Sequence, residues 1–208
     1  MVHKESDQPD HARRGRPRSY DPEAALDSAL TVFWRNGFSA SSLDDICRAT
    51  GMNRPSVYAA FGDKRALFLK AIDRYREISR GHMRKAFSRA GPVREVLRGA
   101  YADALDLYYA GEDTPLGCFM VSAVITEAVD DEEIRSSLAL GLVAFDEAFA
   151  RQFERAQAAG EIPTSRDPMA LARIASAALY YLAARSRAGE RRETLETFVD
   201  STIEILCS

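Results

Sequence analysis

The sequence predicts an all-α protein of about nine helices, and three observations carry that prediction. Apolar residues recur at three- and four-residue spacing along most of the chain, the period of a helix with one buried face. Alternating strand-like runs are absent, and no segment repeats. Helix-starting pairs (Asp21-Pro22, Asp167-Pro168) and helix-breaking glycines (Gly51, Gly62, Gly160, Gly189) punctuate the periodic runs.

Taken in order, residues 1–18 are polar and aperiodic and are expected to form a flexible basic arm. Asp21 caps a first helix that tolerates Pro22 in its first turn, buries Leu26, Ala29, Leu30 and Phe33, and ends near Asn36-Gly37. Leu43, Ile46 and Cys47 share one face of a short second helix. Gly51 supplies the permissive backbone of a tight turn. Asn53 caps a third helix, with Pro55 in its first turn and Val57 and Phe61 on its inner face. Gly62-Asp63 opens a long linker helix, expected over 63–88, that buries Leu67, Phe68, Ala71, Ile72, Tyr75 and Ile78. Its arginines then decorate the exposed faces.

Gly91-Pro92 is the clearest later break. Val93–Ala110 is the next helix, and Gly111–Pro115 a loop. Leu116–Val129 is almost entirely apolar or small and is expected to be a central helix buried on most sides. Glu132–Ala159 is long and amphipathic. Two more helices follow, from Asp167-Pro168 to about Arg187 and from Gly189 onward. These breaks divide the chain into the arm (1–18), a three-helix head (19–66) and a larger helical bundle (67–208).

Charge divides the chain after the linker helix. The net charge of −3 argues against a polyanionic partner if taken over all 208 residues. Residues 1–89, however, hold 17 Lys+Arg against 11 Asp+Glu, a net +6, while residues 90–208 hold 11 against 20, a net −9. One half suits a polyanion and the other a different task. The three cysteines form no CxxC, so a reducing cytoplasm fits better than a disulfide framework. No histidine stands at metal-ligand spacing from a cysteine, so neither a metal nor a cofactor is expected. The chain shows no signal-peptide pattern and no apolar run long enough for a bilayer, which predicts a soluble protein with no membrane partner.

The most informative stretch is residues 41–62. Two short amphipathic helices around a Gly51-Met52-Asn53 turn form a helix-turn-helix, whose second helix enters the DNA major groove. Arg54, at the start of that helix, can grip guanine O6/N7, worth about 1–3 kcal/mol of discrimination. Ser56 can donate to a base or a phosphate, Tyr58 to a phosphate, and Ala59 can touch a thymine methyl. Ser42 and Lys64 are candidate phosphate contacts at two helix starts. In the arm, Arg13-Arg14-Gly15-Arg16-Pro17-Arg18 looks like an AT-hook, with Arg16 and Arg18 suited to a narrow minor groove.

These residues resemble TetR-type (TetR/AcrR) one-component transcriptional regulators. The resemblance rests on Gly37-Phe38, Ser42 to Ile46, Gly51, Tyr58, Phe61, Lys64 and Leu67, and it covers residues 15–75 closely. Ala60 stands where many members carry a second aromatic, and Pro55 where a glycine is common. The resemblance implies a homodimer on double-stranded DNA. It also implies a ligand pocket in the larger domain, and release of the operator when an effector binds. Pro115-Leu116-Gly117-Cys118-Phe119 is similar to a subset of the family with a Gly-Cys motif, whose members respond to reactive or small organic compounds.

In the larger half, Tyr101, Leu105, Tyr108, Phe119, Met120, Phe145 and Phe149 either line a pocket between three helices or fill the core. Glu127 either points inward, where it must meet a partner or a polar ligand, or faces out near its helix end. Cys118, placed at a helix N-terminus, is either a low-pKa sensor thiol or a small buried hydrophobe. Ala175, Ala178 and Leu182, with Phe198 and Thr202, are expected to form a two-fold four-helix interface. That symmetry predicts a palindromic operator. A repressor acting on bacterial DNA in the cytoplasm is the leading reading. The alternative is an effector-independent architectural regulator with a solid core. No nucleophile–base pair or phosphate-binding glycine loop suggests an enzyme.

Overall fold

The computed structural model describes residues 21–111 and 114–208. Among them lie nine α-helices, one π-helical turn and no strand. The head consists of α1 (Pro22–Ala40), α2 (Leu43–Thr50) and α3 (Arg54–Phe61), and α4 (Lys64–Phe87) leads out of it. The body adds α5 (Val93–Tyr108), a π turn (Met120–Val124), α6 (Ile125–Glu127), α7 (Glu132–Ala158), α8 (Pro168–Arg187) and α9 (Arg192–Leu206).

Local chemistry sets the head. Asp21, Ser42, Asn53 and Asp63 each sit in extended backbone and accept a backbone N–H of the following turn. Asp45 closes a capping box with Ser42. Gly51 takes the left-handed conformation, φ 67°, which turns α2 into α3. Gly37, expected to end α1, instead kinks it at φ 77° and ψ 174°. The helical turn resumes to Ala40 because Ser41 is buried and donates its hydroxyl to the Gly37 carbonyl at 2.6 Å.

Head and body share one contiguous core. Phe33, Ile46, Val57, Phe61, Leu67 and Phe68 fill the head. Phe68 and Tyr75 of α4 and Trp34 of α1 then meet Phe119, with ring centroids 5.5–6.2 Å from it. In the body, α7 packs along α8, and α5 fits against α4, α8 and α9.

The predicted helix over Leu116–Val129 is corrected. Residues 115–118 are irregular, and helical turns begin only at Phe119, as the π turn that runs into α6. Gly117 explains this: it adopts φ 65°, and a Cβ there would stand 2.6 Å from the Ala183 carbonyl of α8. The loop is pressed onto α8 too closely for a side chain. Leu116 and Gly117 instead donate their N–H groups to the Tyr108 carbonyl at the end of α5. No helix among the described residues is long and apolar enough to cross a membrane, and no group of His, Cys, Asp and Glu there could hold a metal ion.

Candidate functional site

Because Val57 and Phe61 are drawn into the core, α3 must turn Arg54, Tyr58 and Ala59 to solvent, with Ser56 half-buried beside them. Tyr58 is 52% exposed, which leaves its ring and hydroxyl open to a partner. Arg54 is held by Asp44 of α2, Nε to Oδ1 at 3.0 Å and Nη2 to Oδ2 at 2.8 Å. The guanidinium depresses the Asp44 pKa. With both side chains about 60% exposed, the pair is stabilised little and is open to competition from another anion.

Ser42 is less open than its sequence position suggests. Its hydroxyl caps Asp45 N–H, and its own N–H donates to the Asp45 carboxylate at 3.0 Å. The start of α2 therefore already holds an anion, and the Ser42 hydroxyl and amide hold the Asp45 pKa down. Lys64 Nζ stands 4.4 Å from the Phe38 ring centroid, a cation–π contact that positions it at the start of α4. Arg16 and Arg18 lie outside the described residues.

A hollow of about 550 Å³ opens between α4 and α7. Its floor is Tyr75, Met83 and Phe87 from α4, Met120 from the π turn and Phe145 from α7. Gly141, Ala144 and Ala148 give α7 a low face here, and even one Cβ on Gly141 would stand 3.2 Å from Met120 Cε.

The expected pocket residues are placed mostly elsewhere. Phe145 lines the hollow, and Tyr108 lines only a much smaller cleft of about 30 Å³ beside it. Tyr101 and Leu105 are core residues that do not reach the hollow, and the Tyr101 hydroxyl donates to the Ala175 carbonyl. Phe119 is the hub of the aromatic junction with the head. Glu127 faces the head, accepting from Ser39 Oγ at 3.4 Å. Cys118 is 3% exposed and receives the Tyr75 hydroxyl at 3.2 Å. The helix N-terminus argument called for a lowered thiol pKa. Burial instead pushes it up, against the partial offset of the Tyr75 hydroxyl and nearby backbone N–H groups.

Of the expected dimer residues, most are covered within one protomer. Ala175, Ala178, Leu182 and Thr202 are 0–8% exposed within a single protomer, and Phe198 packs against its core. Ala178 borders the outward face between Ile174 and Tyr181, and Phe198 is half-buried with its ring 4.2 Å from that of Tyr181. The outward stripe carries Ile174 and Tyr181, joined by Ile205 of α9, at 42–63% exposure.

Sequence reasoning missed the ties between head and body. Arg187, at the end of α8, donates to the carbonyls of Trp34, Arg35 and Leu116 at 2.9–3.0 Å. Trp34 Nε1 donates to the same Leu116 carbonyl at 3.2 Å. Arg65 of α4 reaches Asp131 and Glu133 at the start of α7. Arg65 holds the Asp131 pKa down at about 2, with the backbone N–H groups it caps assisting. A basic residue two positions past the Asp63 cap was a weak signal for this bridge. For the Arg187 contacts, which span up to 153 positions, the sequence carried none.

An exposed recognition helix on a three-helix head, carried by a larger helical body with a hollow, defines a helix-turn-helix DNA-binding regulator. Residues 25–71 match the family model "Bacterial regulatory proteins, tetR family", and residues 95–202 match "Tetracyclin repressor-like, C-terminal domain". The HTH-type transcriptional repressor ComR of Escherichia coli K12 is 34% identical over 194 residues, covering 92% of this chain and 91% of ComR. The regulator YezE of Bacillus subtilis is 25% identical, covering 92% of this chain and 99% of YezE. The solved structure of a cysteine mutant of CifR, complexed with 26bp double-strand operator DNA, is 28% identical with a TM-score of 0.82. That match covers 91% of this chain and 98% of CifR. The chain therefore belongs to the tetR family of transcriptional regulators, whose members act as dimers and typically respond to ligands.

Proposed function

We propose that this protein is a ligand-responsive repressor whose dimer reads a palindromic operator. The single observation that carries this is the exposed Arg54–Tyr58–Ala59 face of α3, with half-buried Ser56 beside it, set opposite a fully buried Val57. In this reading Arg54 leaves Asp44 for a guanine edge, Ser56 and Ala59 complete base contact, and Tyr58, Ser42 and Lys64 hold phosphates. Arg16 and Arg18 enter the adjoining minor groove. Residues 19–66 form the reading head and 67–208 the effector and dimer part. The outward stripe of Ile174, Tyr181 and Ile205 meets its two-fold mate, because an apolar patch of that kind is otherwise costly in water. The protein works in the cytoplasm, on the nucleoid.

The hollow between α4 and α7 favours this reading over an effector-independent regulator, for which a solid body was expected. Effector binding shifts the population between head spacings, so effector and operator weaken each other by the same factor. Selection of operators from random DNA with the full chain, at two salt concentrations, tests the proposal. The expected product is a two-fold symmetric site whose half-sites lie about one helical turn or a multiple apart. Recovery of no sequence above non-specific binding at either salt concentration overturns it.

A further inference from the structure

The hollow has a consistent chemistry. Arg76, Arg80 and Arg84 of α4 stand at successive four-residue steps along it, and Arg151 and Arg155 of α7 face them. Glu147 is the one carboxylate in the lining. Five arginines thus rim an apolar floor, four of them exposed and Arg76 half-buried.

The pairing of these arginines is uneven. Arg76 is held by Asp73 at 3.2 Å and by the Ser137 hydroxyl, and Arg151 is 3.8 Å from Glu147. Arg80, Arg84 and Arg155 have no side-chain hydrogen bond or ion pair among the described residues, although most other arginines of the body do. Cations placed together without counter-charges repel one another, and an anion between them removes that cost. Deeper in, Ser79 is 7% exposed and lines the hollow, and its hydroxyl makes no hydrogen bond of ordinary geometry. Its neighbour Tyr75 directs its own proton to Cys118. The Ser79 hydroxyl lies within reach of the Tyr75 phenol, whose upward pKa shift it partly offsets, so it is a weakly satisfied polar point on the wall of the hollow.

We infer that the α4–α7 hollow binds an amphipathic carboxylate, with its acyl or aryl body on the Met83–Phe87–Phe145 floor and its carboxylate among Arg80, Arg84 and Arg155. The fork of a guanidinium matches a carboxylate edge with two parallel hydrogen bonds, and a ring of them selects charge over mere shape. About 550 Å³ lies within the range that holds drug-sized molecules, so a medium-chain acyl or a two-ring aryl body fits. The inference rests on the ligand-responsive reading above and names the class of compound.

The test uses the full-length dimer and calorimetric titration with decanoate and 2-naphthoate, each beside a neutral partner, decanol and 2-naphthamide. At least one carboxylate is expected to bind about tenfold or more tighter than its neutral partner. The double variant R84Q/R155Q is expected to lose that margin with its unliganded melting temperature unchanged, and R84K/R155K to keep part of it. Equal binding of acid and neutral partner, acid binding indifferent to both double variants, or no binding by either carboxylate overturns the inference. Operator release, measured in parallel, separates the two claims. A carboxylate that binds through Arg84 and Arg155 yet leaves operator affinity unchanged refutes the effector reading alone. Release by neutral compounds alone refutes the anion class alone.

Discussion

All four helices that build the head and lead out of it begin on a side-chain cap, whereas in the body only α7 and α8 do, on Asp131 and Asp167, and α5, α6 and α9 begin with none. The head's start signals lie within three residues of where they act: Asp21 on Glu23, Ser42 on Asp45, Asn53 on Ser56, Asp63 on Ala66. The body is fixed by contacts far apart in sequence, such as the Tyr101 hydroxyl on Ala175 and Arg94 on Cys207. A locally specified head can keep one shape while it scans DNA. A body held by distant contacts can exchange one packing for another when a ligand enters.

The sharpest way to break this contrast is Phe119→Ala. Phe119 is fully buried and touches rings from α1 and α4, so its loss is expected to cost about 3–5 kcal/mol. Thermal unfolding followed by circular dichroism, with amide exchange in α2 and α3, should show one transition moved down for both regions. A head that keeps its original melting point would mean that local caps suffice and the shared core does not bind the two together.

Next in size is Arg54→Ala, expected to weaken the operator by about 1–3 kcal/mol with no change in melting temperature, because the Asp44 pair it breaks is exposed. Asp44→Asn should act in the opposite sense, raising affinity several-fold in a fluorescence anisotropy titration by freeing Arg54. Arg187→Ala should cost about 1–2 kcal/mol of stability, the loss of charge-assisted bonds to three carbonyls at a partly exposed site. It should also reduce the factor by which an effector weakens operator binding. If stability falls while that factor stays fixed, the tie is structural only.

The smallest effect is in pH. Asp131 titrates at about 2 in the folded protein against a usual 3.8, chiefly through Arg65. A depressed carboxylate contributes stability that is complete above its unfolded value and fades as pH falls through the folded one. The stability difference between wild type and Asp131→Asn should therefore be constant from pH 7 to 5 and close between about pH 4 and 2. A difference unchanged all the way down to pH 2 would mean that the charge of the Asp131 carboxylate, on Arg65 and on the α7 cap alike, adds nothing to stability.

These contrasts also mark what the sequence could reveal. Helix starts, the α2–α3 turn and the exposed face of α3 were legible, since each depends on residue types a few positions apart. The course of residues 115–118 was not. Gly117 reads as a weak helix residue until α8 is seen pressing on it. Which apolar residues of α8 face inward was not legible either, because α8 carries apolar residues on adjoining faces, Ala175 and Leu182 buried and Ile174 and Tyr181 exposed. The hollow was sought among aromatic residues, which close space. It is opened by Gly141, Ala144 and Ala148, and a void is announced by small residues on one helix only once its neighbour is known. The stripe of Arg76, Arg80 and Arg84 was visible all along and was taken for solvated decoration.

The continuity of α4 has a consequence in plain geometry. At 1.5 Å per residue, its 24 residues make a rod of about 36 Å, with the hollow along its second half and Lys64 at the far tip. Pivoted at Phe87, a tilt of about 5° sweeps that tip sideways by about 3 Å, close to the 3.4 Å rise of one base pair. The hollow lies within about 18 Å of that pivot, so a molecule that pushes α4 from α7 by only about 1–1.5 Å there would displace each head by nearly one step of the DNA ladder. In a dimer the two displacements add.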